Sequence, residues 1–372
     1  MTYAKHVRIE NPIAVTENCR YCLMCRHVAP VGHVMADEAV TPHGIALIVA
    51  SQRRGLIDWN AEAIRILYAE PDGGNCRAHC VTDQPLPAAI AAVRADIVAR
   101  GLAPPEVAEV HEKLQHAASP YGASLPQRST LKSDAALFVS DEAHYLWPSA
   151  AESALRLLEA VGMKSAPVGQ GRSSGFLACS LGLAETAKAQ AAELFEELRA
   201  TGTRKMFVLS AGDLFTFRQM FDERLGVSWP TDIELVDLAS FLAASLDDGR
   251  LTVTPSLTYR PYAYVDPTHA VRAPERFAAV RALVGAVLPD PCIELFWRRE
   301  RAHPVGSTAL QFTRPDIAER LTRARLEDAC SRGAEVLLCE DPGTLYQLQR
   351  FAGEMGLQVC GLYETLAEHL TA

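Results

Sequence analysis

The pattern of apolar positions along the chain changes near residue 135. Before that point, apolar residues recur at helical spacing in three segments, 41–56, 60–70 and 85–101. This spacing predicts amphipathic helices. A polar, proline-containing segment follows and is typical of a linker. We therefore predict an α-helical domain over 1–115 and a linker over 116–134.

Beyond residue 135, short apolar segments alternate with longer amphipathic ones. The predicted strands are 135–139, 205–209, 262–265 and 335–339, and the predicted helices are 152–162, 187–202, 316–333 and 345–356. Strands that alternate with helices are typical of βα units around a parallel sheet. The sequence therefore predicts an α/β fold for this part of the chain.

The second half of the chain contains an internal repeat. Segment 192–221 aligns with segment 319–351, because each holds a helix, a glycine, a strand and a new helix in the same order. A nearly constant offset between matching positions is the mark of a repeated unit. Any two βα units share some of this order, which is the alternative explanation. We predict two copies of one α/β domain, over 135–250 and 251–372.

Composition argues against a nucleic-acid partner and against a membrane-spanning segment. The 372 residues carry a net charge of −9, with 36 basic and 45 acidic residues and no long Lys/Arg block, which argues against nucleic acid. The first residues, MTYAKHVRIENP, lack the apolar core of a secretory signal, and no uncharged apolar stretch reaches about 18 residues. We expect a cytoplasmic protein without an integral membrane segment.

Half of the ten cysteines lie before residue 81. Clustered cysteines in a reducing compartment point to metal binding rather than to disulfides. The other five are expected to be buried apolar residues: Cys179, Cys292, Cys330, Cys339 and Cys360.

Two cysteine runs suggest iron–sulfur chemistry. Cys19, Cys22 and Cys25 form C-x2-C-x2-C, a spacing that supplies three thiolates to a cubane cluster. A second run ends in Cys76 and Cys80, separated by three residues. A complete second run would have cysteines three and six residues before Cys76, where this chain has Gly73 and Glu70. The fourth cysteine position of the first run is held by Ala29. The second run thus resembles an incomplete copy.

The ligand exchange of two-cluster ferredoxins decides which cluster remains possible. In those proteins the last cysteine of each run binds the other cluster. One cluster then has all its ligands in Cys19, Cys22, Cys25 and Cys80, whereas the second retains only Cys76. We predict one [4Fe–4S] cluster bound by the first four.

Zinc is the competing interpretation, because three or four thiolates, or two with His27 or His79, also suit tetrahedral Zn²⁺. Zinc sites usually pair C-x2-C with a second C-x2-C or with H-x3-H, and the chain has neither partner motif. The sequence favours iron–sulfur. We expect His27, His33, His43 and His79 to shape the surroundings of the cluster rather than to bind it.

These motifs resemble the iron–sulfur subunits of heterodisulfide reductase and their relatives in anaerobic glycerol-3-phosphate dehydrogenase and in lactate and glycolate oxidase complexes. The resemblance implies a helical ferredoxin-like domain followed by two cysteine-rich "CCG" α/β domains, in which cysteines after the strands can hold a noncubane cluster or zinc. It also implies a partner, either a flavin-dependent oxidoreductase or an electron-transfer flavoprotein.

The CCG ligand positions of that family carry no cysteine in this chain. Those positions are held in the first repeat by Asp141, Ser173, Ser174, Gly175, Ala211, Gly212, Asp213 and Leu214, and in the second by Thr268, Pro304, Val305, Gly306, Asp341, Pro342, Gly343 and Thr344. Most of these side chains cannot replace thiolates around iron. Disulfide reduction at a CCG cluster is therefore not expected.

Three functions fit the sequence. The first is an electron-transfer subunit that passes single electrons through one [4Fe–4S] cluster and performs no catalysis of its own. The second is a subunit that binds substrate or cofactor at the carboxyl ends of the strands, where Asp141, Arg172, Asp266, His269, Arg272 and Asp341 fall. An oxygen-ligand site of Asp266, His269 and Asp341 is also considered, and a hydrogen-bonded loop is the simpler explanation for these residues. The third is a scaffold with a structural cluster.

Overall fold

The computed structural model describes residues 11–256, 260–288 and 291–371. The polar N-terminal segment 1–10, on which the cytoplasmic prediction partly rests, lies outside the described residues. Six helices form the N-terminal region: α1 (Pro30–Met35), α2 (Pro42–Arg53), α3 (Ala61–Leu67), α4 (Asn75–Ala78), α5 (Leu86–Ala99) and α6 (Pro105–Ala117). Side chains cap the N-termini of α2 and α3, where Thr41 and Asn60 accept hydrogen bonds from Gly44 N and Ala63 N.

The first parallel sheet has the strand order β2-β1-β3-β4. Its strands are β1 (Ala135–Ser140), β2 (Ala166–Arg172), β3 (Lys205–Val208) and β4 (Glu234–Asp237). The helices that connect and follow them are α7 (Pro148–Ala160), α8 (Phe176–Leu181), α9 (Ala184–Thr201), α10 (Ala211–Phe215) and α11 (Leu238–Asp247). Wider, π-type turns occupy Glu142–Leu146 and Thr216–Leu225.

The second parallel sheet repeats this arrangement. Its strands are β5 (Tyr262–Tyr264), β6 (Val336–Cys339) and β7 (Gln358–Gly361), in the order β5-β6-β7. Its helices are α12 (Arg276–Val287), α13 (Leu310–Thr313), α14 (Pro315–Ser331), α15 (Pro342–Ala352) and α16 (Leu362–Glu368). A parallel bridge from Ala263 to Ile293 places Ile293 beside β5, as β2 lies beside β1. The two sheets therefore share one topology, and the predicted α/β class is confirmed.

Alternating side chains of β1 serve two different cores. Ala136 and Phe138 pack with the N-terminal helices, whereas Leu137 and Val139 pack with α7, α11, α12 and α16. This division follows from the two-residue period of a strand. Tyr262, Tyr264 and Leu338 of the second sheet join the latter core. The two sheets are thus joined through one layer of helices.

The N-terminal region contacts both sheet units. Arg94 of α5 is 1% exposed, and its guanidinium donates to the carbonyls of Leu67, Glu70 and Ser180. Val31 and Ala69 pack against Leu310, Ile317 and Leu321 of the second unit. These contacts hold the cysteine-bearing helices against the carboxyl ends of both sheets.

The predicted linker begins two residues inside α6 and contains no helix or strand from residue 118 to 134. It lies along α9, because Arg128 pairs with Glu196, Ser129 N donates to Glu197 and Lys132 donates to the Ala200 carbonyl. The later part of the segment is therefore fixed to the first sheet unit, whereas Tyr121 accepts a hydrogen bond from Gln311 of the second.

All four predicted strands are confirmed within one or two residues at their ends, whereas β2, β4 and β7 were missed. Strand β2 reads APVGQGR and contains two glycines, and the other two have four residues each. Such segments carry little hydrophobic periodicity. Among the described residues, no helix is both long and apolar enough to cross a bilayer.

Candidate functional site

Four cysteines from distant parts of the N-terminal region meet at one cavity of about 40 Å³, here called the cysteine cavity. Cys19, Cys25, Cys76 and Cys80 line it, together with Val15, Thr16, His43, Ala46, Gln84 and Leu86. The predicted ligands Cys19, Cys25 and Cys80 are thus brought together. The structure adds Cys76, which the sequence had placed with the incomplete second cluster.

Cys22 lies at the exposed turn of the loop that carries Cys19 and Cys25. This loop joins two short 3-10 helices, Pro12–Asn18 and Met24–Val28. Tyr21 and Leu23, on either side of Cys22, have φ angles of 49° and 62°. Such left-handed conformations are uncommon for these residue types and make the turn tight. Cys22 does not line the cavity, but it acts electrostatically on Cys19.

Burial raises the pKa of Cys19, Cys25 and Cys76. Burial is the largest cause for Cys25, whose pKa rises to about 11, and the neighbouring Cys19 and Cys80 raise it further. The pKa of Cys19 is also raised, by burial and by Cys80 and Cys22, and that of Cys76 lies well above its ordinary value. These thiols hold their protons at neutral pH, so metal binding would release protons.

The donor set fits an iron–sulfur cluster. In the described part of the chain, no group of three or more His, Cys, Asp or Glu side chains is gathered closely enough to hold a single metal ion. A cubane does not require such a group, since each thiolate binds a different iron. Three of the predicted thiolates line one cavity, and Cys22 lies in the loop that joins two of them. Cys80 Sγ already accepts a hydrogen bond of 3.4 Å from Gln84 N.

The four histidines of this region have separate positions. His43 lines the cysteine cavity and is held by Thr41 Oγ1 at 3.0 Å and by Glu38 at 3.2 Å. His79 Nδ1 contacts the Asn75 carbonyl at 3.1 Å, and His33 packs edge-on against Trp297. His27 is exposed. Of the four, His43 alone is in the cavity wall, so the prediction that these residues shape the surroundings applies to it.

A buried ion network lies behind Cys76. Asp72 accepts hydrogen bonds from Arg224 at 2.6 and 2.8 Å and from Arg272 at 2.7 Å. Burial acts to raise the pKa of Asp72, but the two guanidinium groups outweigh it and hold the pKa well below its ordinary range. Arg224 follows β3 and Arg272 follows β5. One carboxylate of the N-terminal region is therefore bound by both sheet units.

A second cavity of about 40 Å³, here called the acidic cavity, lies where the carboxyl ends of the two sheets meet. Asp141 and Glu142 follow β1, Asp213 follows β3, and Asp341 follows β6. His269, after β5, completes the group. Several hydroxyl groups and aromatic rings share the wall, from Tyr121, Ser140, Ser173, Ser174, Phe176, Ser210, Ser307, Thr308 and Phe312.

The acidic side chains are positioned by helix starts. Asp341 caps α15 by accepting from Thr344 N at 2.8 Å, and Ser210 caps α10 and donates to Asp213 at 2.9 Å. The Glu142 carboxylate lies directly against Gly343, at a position that a Cβ would occupy. Helix N-termini favour negative charge. Glu142 of the first sheet unit thus lies at the start of α15 in the second.

Burial raises the pKa of every carboxylate in the acidic cavity. Burial and then Asp213 raise the pKa of Asp141 to about 7, and burial raises that of Asp213 to about 6. The pKa of Glu142 lies well above its ordinary value through burial and then Asp341. His269 has the opposite shift, since burial and the nearby Arg272 lower its pKa to about 3. The cavity therefore holds a neutral imidazole and carboxyl groups that are protonated more readily than exposed ones.

Only part of the predicted ligand cleft is present. Asp141, His269 and Asp341 line the acidic cavity, whereas Arg172, Asp266 and Arg272 have partners elsewhere. Arg172 pairs with Glu193, Arg272 with Asp72, and Asp266 with Arg281 at 2.9 Å. The oxygen-ligand site of Asp266, His269 and Asp341, the less favoured interpretation of these residues, is not formed, because Arg281 binds Asp266. Glu142 and Asp213 were the residues that this prediction missed.

The expectation for the five scattered cysteines holds for two of them. Cys179 and Cys339 are buried, Cys292 and Cys360 are half-buried, and Cys330 is exposed. Cys330 lies near the end of α14, on its solvent side. A cysteine in an amphipathic helix does not have to face the core, which is why the sequence alone misplaced it.

Comparison with known proteins identifies a shared fold and no family. No model of a known protein family matches the chain, and no curated protein matches it. The chain is similar to the crystal structure of a hypothetical protein from Helicobacter pylori, with a TM-score of 0.60 and 11% sequence identity. The match covers 96% of this chain and 76% of that one. At this identity the similarity concerns the fold alone.

Proposed function

We propose that this chain is an iron–sulfur electron-transfer subunit of a multi-subunit oxidoreductase. In this proposal one [4Fe–4S] cluster is bound by Cys19, Cys22, Cys25 and Cys80, and single electrons pass between a flavoprotein or dehydrogenase and another carrier. The proposed relatives are the heterodisulfide reductase and anaerobic glycerol-3-phosphate dehydrogenase iron–sulfur subunits. The two sheet units then correspond to CCG domains without their cysteine ligands.

One observation carries the proposal: three cysteines of the predicted ligand set line one cavity, although Cys80 is 55 residues beyond Cys25. A structural core cysteine requires no cysteine neighbour, because it packs like any small apolar side chain. Four cysteines around one cavity therefore favour a shared ligand. The soft sulfur donors suit iron–sulfur clusters and zinc, and the C-x2-C-x2-C spacing favours the former.

The cluster would supply a one-electron redox centre when bound. The chain's own residues set its surroundings. Thr16, Ala46 and Leu86 form a mostly apolar wall around the thiols, which limits the access of water. Cys80 Sγ, which accepts from Gln84 N, receives the kind of hydrogen bond that adjusts the charge on a ligand sulfur.

The loop around Cys22 gives a place for a redox partner to approach. Tyr21, Leu23 and Met24 are exposed apolar side chains beside Cys22. Exposed apolar residues next to a redox centre allow a partner protein to come close without bulk water between the centres. This supports electron transfer with a separate subunit, for which a flavoprotein is proposed.

Metal content and spectroscopy test the proposal. The full chain, purified without oxygen, is expected to be brown, to contain about four irons per chain, and to give a paramagnetic signal after reduction by dithionite. Reconstitution with iron and sulfide serves as a second route if the cluster is lost during purification.

A colourless protein with zinc at a stoichiometry near one would contradict the electron-transfer proposal. So would a bound cluster that dithionite and potentiometric titration leave unchanged, since a scaffold would need no redox activity. The same sample is mixed with a reduced flavoprotein, and the rate at which the cluster absorbance bleaches measures electron transfer directly.

A further inference from the structure

We propose that the acidic cavity binds a small organic cation with an ammonium group, at the junction of the two sheet units. This inference goes beyond the proposed electron transfer and does not depend on the cluster. It rests on the charge, size and wall composition of the cavity.

Raised pKa values, rather than a basic side chain in the described wall, limit the negative charge of the cavity. Asp141, Glu142, Asp213 and Asp341 line it, and no Lys or Arg is among the described residues of its wall. Asp141 and Asp341 are only 6% and 7% exposed. Like charges in a space poor in water repel strongly unless protons or a cation neutralise them. Two other buried carboxylates, Asp72 and Asp266, are by contrast paired with arginines of the protein.

His269 adds an independent sign of a missing partner. The residue is 3% exposed and belongs to the cavity wall, yet its Nε2 makes no hydrogen bond. Buried polar atoms nearly always have a partner in native proteins. Because burial and Arg272 keep the ring neutral, one of its nitrogens is an acceptor. An ammonium N–H is a donor that suits both this acceptor and the carboxylates.

The wall favours an organic cation over a metal ion. Phe176, Phe312 and Tyr121 line the same cavity as the carboxylates. The faces of aromatic rings attract ammonium groups, whereas they offer nothing to a hydrated divalent ion. The cavity of about 40 Å³ holds about three ordered waters, so a compact ligand is expected.

Calorimetric titration with ethanolamine tests the inference, with ethylene glycol as the uncharged compound of the same length. The full chain is expected to bind ethanolamine saturably at millimolar or lower concentration and to show no heat of binding with ethylene glycol. Mn²⁺ forms a third arm of the experiment.

Two variants locate the site. Asp341→Asn keeps the oxygen that caps α15, and Asp213→Asn keeps the acceptor for Ser210, so both are expected to fold. Each should weaken ethanolamine binding about tenfold or more, the usual effect of losing a hydrogen bond to a charged group. Asp248→Asn, in an exposed pair with Arg250, is the matched control and should bind as the wild type does.

Three results would overturn the inference: equal binding of ethylene glycol, unchanged affinity in both cavity variants, or Mn²⁺ that binds and displaces ethanolamine. The last result would make the cavity a metal site. Iron content is measured in every sample, so that loss of the cluster and loss of ethanolamine binding are distinguished.

Discussion

The cysteine cavity and the acidic cavity have the same volume, about 40 Å³, but opposite chemistry. Soft sulfur donors line the first, and hard oxygen donors line the second. Burial raises the pKa of Cys25 in the first and of Asp141 in the second, so each cavity holds protons that a cation would displace. The comparison indicates that the fold offers two separate places for a positively charged ligand, with selectivity set by donor type.

The two cavities also differ in how they are built. Residues of the first lie between Val15 and Leu86, in one helical region. Those of the second extend from Tyr121 to Asp341 and come from the ends of two sheets. The ion network of Asp72, Arg224 and Arg272 lies between them and joins all three parts of the chain.

The largest expected effect concerns the cysteine cavity. Changing Cys80 to Ser should abolish the cluster, because a hydroxyl is a poor ligand for iron and only three of the proposed thiolates would remain. Changing Cys76 to Ser should leave the iron content unchanged, although Cys76 lines the same cavity. Iron analysis and visible absorption of the reconstituted variants provide the measurement.

Cys22→Ser completes this set, because Cys22 is exposed outside the cavity whereas Cys76 lies in its wall. Loss of the cluster in Cys76→Ser with retention in Cys22→Ser would show that the ligand exchange inferred from the sequence is wrong. The ligands would then be Cys19, Cys25, Cys76 and Cys80.

The second-largest expected effect concerns the ion network that lies between the two cavities. Changing Asp72 to Asn should lower the free energy of unfolding by about 3–5 kcal/mol, because Arg224 and Arg272 would remain buried without their carboxylate. Urea denaturation measures this. The exposed variant Asp248→Asn is the control and should unfold as the wild type does; an equal result for both would exclude a stabilising role for the network.

The smallest effect is a pH dependence at the acidic cavity. The pKa of Asp141 is about 7 in the folded chain and about 4 when unfolded. Between these values the folded chain keeps a proton that the unfolded chain has lost, so stability falls as pH rises. Asn does not titrate, so the free energy of unfolding of Asp141→Asn should equal that of the wild type near pH ~4. Above pH ~7 it should exceed the wild-type value by about 2–4 kcal/mol.

Urea denaturation at both pH values provides this measurement. Asp141 Oδ1 accepts from Glu142 N at 3.0 Å, and the Asn side chain keeps an acceptor there. A variant that is less stable than the wild type above neutral pH would show that the Asp141 charge is balanced in the folded chain.

The sequence by itself determined the elements with strong periodicity and the local motifs. Strands β1, β3, β5 and β6 are short apolar segments whose burial is evident from composition, and the spacing of Cys19, Cys22 and Cys25 is a property of adjacent residues. Strands β2, β4 and β7 were not predictable, because their place beside a central strand, rather than their own composition, makes them extended.

Only the tertiary structure decided which distant side chains share a cavity. In the folded chain, Cys76 lines the same cavity as Cys80, and Asp266 pairs with Arg281 outside the acidic cavity. Glu142 of the first sheet unit lies against Gly343 of the second. Electrostatic interactions and packing between distant segments determine these neighbours. Both depend on spatial distances that cannot be read from the order of residues. The sequence specifies which ligand-donor groups are present, and the fold determines which of them are neighbours.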